Sequence, residues 1–380
     1  MDPASECLST RAEKDPGAGF TAMEGTVSFQ PVSVREILTN EPVEASAPCR
    51  VDAGGTWDIK AMALPLERED PVTVNVALDL RTRVRLLPYR DGWVRVSSKG
   101  FQPGELSRRT GGCPFDPPFG LFFAAVERFG FHGVHVRIAS DSPPRSALGG
   151  SSTALTALLR ALSSLAKRRG AAGLRPREIL MLGYQLEDGV SGGFCGMQDQ
   201  AAAVYGGVNL WRWQYGRTRT PFRRKPLMDA GGCREFSNCL LVAHSGRDHD
   251  SGSVNRGWVQ AFLSGRTRSG WIKANRSVHG LARALTARDW GKAAECLREE
   301  MAVRREITPD ALIPETSALI EAAEAEGCGA RFAGAGAGGA VWAVGPHDLI
   351  AVLGSRWAEV LKPMKGGRLL DCRIDSRGVF

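Results

Sequence analysis

From Ala47 onward the chain alternates apolar and polar residues with period two in several short runs, each bounded by turn-forming residues. Pro71–Asp79, Thr82–Leu87, Val134–Ile138 and, across an Asp-Gly turn, Trp93–Ser97 predict strands. Helical spacing takes over at 153–169, where Leu155, Leu158, Leu159, Leu162 and Leu165 share one face, and at 176–188, where Pro176 suits a first turn. Further on, Cys239–Ala243 reads as a buried strand, and 278–303 and 315–326 as amphipathic helices. Ala330–Val344 reads as strand, glycine loop, strand, and Arg368–Ile374 as a closing strand. Strands and helices mix without strict alternation, which predicts an α+β class over a doubly wound sheet. Residues 1–45 are polar and irregular except for a helical hint at Val34–Leu38, so they read as an N-terminal extension. The remainder divides into 46–234 and 235–380.

Composition narrows the class of protein. With 380 residues, 43% of them hydrophobic, each of two domains has material for a core. No apolar run approaches the roughly 20 residues of a membrane helix, and the polar start does not resemble a secretory signal. Nine cysteines lie scattered with no CxxC pair, which fits a reducing, cytoplasmic setting and predicts neither a disulfide framework nor a structural zinc. The net charge of +8 gathers in clusters at Arg81–Arg85, Lys167–Arg169, Arg217–Lys225 and Arg304–Arg305. These lack aromatic interleaving or a recognisable nucleic-acid module, and an anionic small ligand accounts for the charge as well; no nucleic-acid partner is expected.

The chemistry concentrates in glycine loops. Ser142-Pro-Pro-Arg-Ser-Ala-Leu-Gly-Gly-Ser-Ser-Thr-Ala-Leu155 runs from a Pro pair through small residues directly into an apolar helix. Backbone amides of Ser146, Ala147, Leu148, Gly149, Gly150, Ser151 and Ser152 at a helix N-terminus make an anion site, and the two serines can cap the helix or reach a phosphate-bound metal. No Gly-Lys-Ser/Thr follows, so this is not a Walker A loop. Ahead of it, Ala47-Pro-Cys-Arg-Val-Asp-Ala-Gly-Gly-Thr-Trp-Asp58 turns on glycines and presents Thr56, Trp57 and Asp58. A carboxylate beside a flat ring suits a sugar. Glu187 ends a helix that buries Ile179, Leu180, Leu182 and Leu186, and Gly192-Gly-Phe-Cys-Gly-Met-Gln-Asp-Gln200 sets Gly193, Gln198 and Asp199 around a helix start. A last loop carries Gly334, Gly336 and Gly338. The stretch His244…Arg247-Asp-His-Asp250 has metal-ligand residue types.

These loops, in this order and spacing, resemble the GHMP kinase superfamily. The Gly-Gly-Phe-Cys-Gly-Met-Gln-Asp-Gln…Tyr-Gly-Gly-Val-Asn text and the Thr308-Pro-Asp310 turn are most similar to its sugar-kinase branch, the heptose-phosphate and fucose kinases. The resemblance covers residues 46–380. It implies a two-domain α+β fold, with an N-terminal ATP-binding domain and a C-terminal ferredoxin-like domain, and ATP and Mg²⁺ as cofactors. It implies phosphate-binding amides at 146–152, Mg²⁺ ligands at Ser151 (with Ser152 its neighbour) and Glu187, and Asp199 orienting the acceptor hydroxyl beside Arg50. It also implies substrate contacts at Asp58, Thr56, Trp57, Gln198 and Gly193, and a substrate-side loop, not a metal site, at 244–250. The expected activity is transfer of the ATP γ-phosphoryl to a sugar or sugar phosphate. A non-sugar alcohol, or a catalytically silent ligand sensor of this fold, are the alternatives. Ala147 stands where the family has glycine and would be strained at positive φ. The Arg50-to-Asp58 spacing is one residue short, and Ala335 and Ala337 interrupt the third loop.

Overall fold

In the structure, a computed structural model, residues 31–380 are described, except 56, 100–102, 113, 218–219 and 250. Residues 1–30 of the expected extension, and the substrate candidate Thr56, lie outside the described residues. The first part of the chain forms β1 (Val32–Ser33), α1 (Arg35–Asn40), β2 (Val43–Ala53), α2 (Lys60–Ala63), β3 (Val72–Pro88), β4 (Trp93–Ser98), β5 (Glu105–Arg109) and α3 (Gly120–Arg128). Then come β6 (Phe131–His132), β7 (Val134–Ser140), α4 (Gly150–Arg168), α5 (Pro176–Ser191), α6 (Gln198–Tyr205), β8 (Val208–Trp213) and β9 (Phe222–Pro226). The second part forms α7 (Ala230–Ser237), β10 (Leu240–His244), α8 (Ser251–Leu263), α9 (Arg268–Ala287), α10 (Trp290–Ile307) and α11 (Pro314–Ala325). It closes with β11 (Gly329–Phe332), β12 (Ala340–Val344), α12 (His347–Leu361) and β13 (Arg368–Leu369).

Two main sheets hold all the strands but β1 and β6, with the break between Pro226 and Leu240: a seven-stranded sheet, β5-β4-β7-β3-β8-β9 with β2 on β3, and a four-stranded sheet, β11-β12-β10-β13. Residues 31–45 do not belong to an extension. β1 pairs in parallel with β6, α1 packs on β3, and β2 already begins at Val43. The spine is β3, a single 17-residue strand where the pattern predicted two. No turn residue interrupts Asp79–Thr82, so the strand continues, and its register against β2 shifts between Pro48 and Cys49. Period-two alternation sends Arg83 and Arg85 to solvent and buries Thr82, Val84 and Leu86.

The apolar face of α4 lies on β2 and β3 with Leu155, Leu158, Leu159, Leu162 and Leu165 all fully buried, as its spacing predicted. The predicted helix at 278–303 is instead two antiparallel neighbours, α9 and α10. Arg288 turns left-handed at φ 57°, and the Asp289 side chain accepts from the Lys292 amide at 2.9 Å to start the next helix. Among the described residues no helix is long and apolar enough to cross a membrane.

The predicted closing strand shrinks to β13. Beyond it the chain crosses back to the first sheet, where Phe380 and Ser46 exchange backbone hydrogen bonds of 3.0 and 3.1 Å. Arg81, read from sequence as part of a basic surface cluster, is buried and clamps this return. Its guanidinium donates to the Ser46 and Gly378 carbonyls at 2.8 and 2.9 Å, pairs with the Asp375 carboxylate, and covers the Phe380 ring.

Candidate active site

The loop between β7 and α4 turns its carbonyls into the protein. Those of Arg145, Ser146 and Leu148 accept from the amides of His249 (3.0 Å), Ala340 (2.8 Å) and Arg50 (3.1 Å). The Ala147 carbonyl accepts from Arg50 Nη1 at 2.6 Å, and that of Gly149 from the Thr153 amide at 2.9 Å. In a trans peptide the next amide points the opposite way. The N–H groups of 146–150 therefore face outward, and Ser146, Ala147, Gly149 and Gly150 line a cleft of about 520 Å³. The positive end of the 19-residue α4 stands behind them.

Such a turn needs left-handed residues, and Gly149 takes φ 76°. Ala147 takes φ 62°, so the strain expected from its departure from glycine is present, about 1–2 kcal/mol. The third glycine loop makes room for it. A Cβ on Gly339 would sit 2.8 Å from the Ala147 Cβ and 2.6 Å from the Ser146 carbonyl oxygen. That loop is also the turn of the β11–β12 hairpin, and the Gly334 backbone packs against Ala147 and Arg50.

Arg50 and Asp199 meet at the centre of the cleft. β2 carries Arg50 outward from the sheet, and Asp199 stands in the first turn of α6, where its charge favours the helix N-terminus. Arg50 Nε and Nη2 both reach Asp199 Oδ1 at 2.7 Å. Burial would lower the Arg50 pKa, but Asp199 and Asp52 outweigh it and hold it above the ordinary value.

Glu187, near the end of α5, receives hydrogen bonds from the Ser152 hydroxyl and from Gln200 Nε2 at 2.5 Å. It is Ser152, buried, that meets Glu187; Ser151 is exposed at the cleft mouth. Desolvation pushes the Glu187 carboxyl up to about 7. Gln200 Oε1, buried beside it, has no hydrogen-bond partner. This set of hard oxygens next to outward amides fits Mg²⁺ shared with phosphate better than a cage made by protein alone. Among the described residues no cluster of three His, Cys, Asp or Glu could hold a metal ion by itself, and Asp250 of the 244–250 stretch lies outside them.

Asp58 sits on the other flank of the cleft. Its Oδ2 accepts from the Gln198 amide at 2.9 Å, and its carbonyl from the Tyr215 hydroxyl. Gly196 is required there, because a Cβ would fall 1.8 Å from Asp58 Oδ2. Gln198 lines the cleft with a buried, unpartnered Oε1. Trp57 does not join them. It is fully buried against Phe262 and Trp271 and donates to the Trp271 carbonyl at 3.2 Å, so it offers no face to a ligand. Gly193 is an exposed turn residue after α5 and does not line the cleft.

Burial also drives the Asp58 carboxyl up to about 7. A carboxyl raised on folding favours the folded state at low pH and loses that contribution as pH rises through its folded pKa. The ligand-free protein should therefore melt lower as pH rises from about 5 to about 7.5, by on the order of 1–2 kcal/mol from Asp58 and Glu187 together. Melting curves of the protein and of Asp58→Asn across this range check it; the variant should show the shallower slope.

Sequence reasoning missed several cleft and support residues. Thr82, Ser98, Lys99, Phe122, Ile138 and Ser140 line the flank beside β3, β4 and β7. Asn255 from α8 and His249 line the cleft as well, the latter from the stretch read as a substrate-side loop. Asp52 and Arg331, both fully buried, were missed, although Arg331 is the single charge of the apolar β11, a pattern that demands a partner.

A family model described as "GHMP kinases N terminal domain" matches residues 120–207, and one described as "GHMP kinases C terminal" matches 281–362. No curated protein sequence matches the chain. Among solved structures, Lactococcus lactis galactokinase complexed with galactose is 16% identical over 90% of this chain and 95% of that one, with a TM-score of 0.69. A D-glycero-D-manno-heptose 1-phosphate kinase from Bacteriodes thetaiotaomicron is 18% identical over 89% and 97%, with a TM-score of 0.66. Methanococcus jannaschii mevalonate kinase is 14% identical over 88% and 98%, with a TM-score of 0.65. At these identities the likeness carries the fold alone. With both domain models placed in chain order on an α+β fold of two sheets, the chain belongs to the GHMP kinase superfamily.

Proposed function

We propose that this protein transfers the γ-phosphoryl group of ATP to a hydroxyl of a sugar or sugar phosphate. The observation that carries the reading is the Arg50–Asp199 pair, set in one cleft with the outward amides of 146–150. Phosphoryl transfer asks a protein chiefly to position two oxygens in line and to stabilise charge, and these parts supply both.

In this mechanism the amides of 146–150 and the α4 N-terminus hold the phosphates. Ser152, Ser151 and Glu187 would hold Mg²⁺, which when bound neutralises charge on the phosphate oxygens. Asp199 accepts a hydrogen bond from the acceptor hydroxyl and receives its proton late. Arg50 keeps Asp199 in place and offsets charge near the transferred group. Asp58 and Gln198 hold other hydroxyls of the acceptor. The flank lined by Thr82, Ser98, Phe122 and Ile138 takes the nucleoside.

A polyhydroxylated acceptor is favoured over a simple anionic alcohol by the lining of its flank. Asp58, Gln198, Asn255 and His249 are hydrogen-bonding groups, while the buried Arg50 is already engaged by Asp199 and the Ala147 carbonyl, Arg145 pairs with Asp248, and Lys99 stands on the flank beside β4. The test is MgATP-dependent ADP release over fucose, galactose, mannose, heptoses and their phosphates, with mevalonate and homoserine as comparison alcohols. Turnover confined to one sugar is expected. Turnover on a comparison alcohol alone would move the substrate class, and saturable ATP binding without turnover would favour a silent sensor.

A further inference from the structure

Six side chains of alternating charge run from the cleft into the core: Asp199, Arg50, Asp52, Arg331, Glu300 and Arg304. Successive nitrogen–oxygen separations are 2.7, 3.7, 2.8, 3.3 and 3.5 Å. The inner four are almost wholly shielded from solvent, and Arg304 ends the series with its guanidinium 4.5 and 4.4 Å from the Trp258 and Trp271 ring centres. Buried ion arrays are costly to desolvate, and apolar residues of similar volume would pack as well. What the array adds is fixed geometry.

Asp52 is the joint of the series. Its Oδ1 accepts from the Gly334 amide at 2.7 Å and faces Arg50 Nη1, while its Oδ2 accepts from Arg331 Nη1 at 2.8 Å. One carboxylate thus binds the third glycine loop, Arg50 of β2 and Arg331 of β11 to each other. Burial alone would push this carboxyl up, but Arg331, Arg50 and the Gly334 amide outweigh it and hold it below the ordinary value, so it stays ionised.

Resting on the phosphotransferase reading above, we propose that Asp52 is a positioning residue for the transfer, with Arg331 as its anchor. Asp52 shares the Arg50 cation with Asp199 and keeps the guanidinium between the two acids. A strand of the four-stranded sheet thereby sets the geometry of a reaction centred on the seven-stranded one. Without the Asp52 charge, Asp199 draws Arg50 to itself, and the cation is lost to the transferred phosphoryl group.

The experiment compares Asp52→Asn with Asp52→Asn/Arg331→Met, measuring kcat, both KM values and melting temperature for each. The single variant keeps an acceptor for the Gly334 amide but leaves a cation uncompensated. The double variant removes a whole ion pair and restores charge balance. Expected for both is a kcat lowered about 100-fold, with KM for acceptor and MgATP within about threefold of the parent. The melting temperature should fall in the single variant and recover in the double one. If Asp52→Asn does not fold, the double variant decides alone. Recovery of kcat along with melting temperature, or a kcat within about threefold of the parent in either variant, would overturn the proposal and reduce the array to packing. A parent protein that phosphorylates no alcohol would instead overturn the kinase reading, and the positioning role with it.

Discussion

Asp199→Asn should lower phosphoryl transfer by about 10²–10⁴-fold while MgATP affinity changes little. The substitution is nearly isosteric, so the fold gives it no reason to move. Both Arg50 contacts go to Oδ1, and an amide oxygen in that position still accepts them. The other position becomes an NH₂ group. It can only donate, and the acceptor hydroxyl needs an acceptor for its proton. The loss therefore falls on the step in which the hydroxyl attacks, and not on the amides of 146–150 proposed to hold the phosphates. Steady-state ADP release, paired with calorimetric titration of MgATP, separates the two. A variant with near-parent turnover would remove Asp199 from the reaction, and one that lost MgATP binding would make its role structural.

Glu187→Gln should move activity and stability in opposite directions. The carboxyl is raised to about 7 by burial, with Ser152 and Gln200 as its hydrogen-bonding neighbours. In the ligand-free protein at pH 8 it is a desolvated anion, and the pull of Arg50, opposed by the Asp199 charge, does not offset its burial, so ionisation costs folding free energy. Glutamine removes that cost, so the ligand-free variant should gain about 1–2 kcal/mol at pH 8 and little at pH 5, where the parent carboxyl is already protonated. The same change removes a charged oxygen from the proposed Mg²⁺ site. Turnover should fall about 100-fold, and the Mg²⁺ concentration for half-maximal rate should rise. Melting curves at the two pH values and a Mg²⁺ titration of the rate test both halves. A variant that lost stability at pH 8 would mean the carboxylate is already compensated in the ligand-free protein.

Much of the site was legible because its parts are local. Glycine spacing, serines at a helix start and an acid after a glycine turn are short-range patterns that picked out the 146–152 loop and Asp199; the family resemblance added Arg50 and Glu187, and the fold brings them to one cleft. What was not legible depended on rotation or on distance along the chain. Successive helix residues differ by about 100° in direction, so the choice between Ser151 and Ser152 depends on α4 beginning at Gly150, which no composition rule fixes. Trp57 looked like a sugar platform until its packing partners, Phe262 and Trp271, came into view from the other end of the sequence. Asp52 and Arg331 are 279 positions apart and invisible as a pair without the fold. The class was legible in the mixture of strands and helices. The split of 278–303 into α9 and α10, and the inclusion of 31–45 in the body, were not, since each is set by tertiary pairing and not by local periodicity.

The clamp around Arg81 has a consequence for how the chain reaches its native state during synthesis. β2 is among the first strands to leave the ribosome, yet Ser46 is backbone-paired with Phe380, and Arg81 waits for Asp375 and Gly378. The seven strands of the large sheet are all made by Pro226, but the outer side of β2 and the Arg81 cation stay uncovered until residues 375–380 arrive. Until residues 375–380 emerge, that side of β2 lacks its partner and the Arg81 cation is unpaired in an apolar setting. Contacts of such long sequence separation form slowly, and an exposed strand edge in the interval invites pairing with other chains. The nascent chain should depend on chaperone shielding until residues 375–380 have emerged.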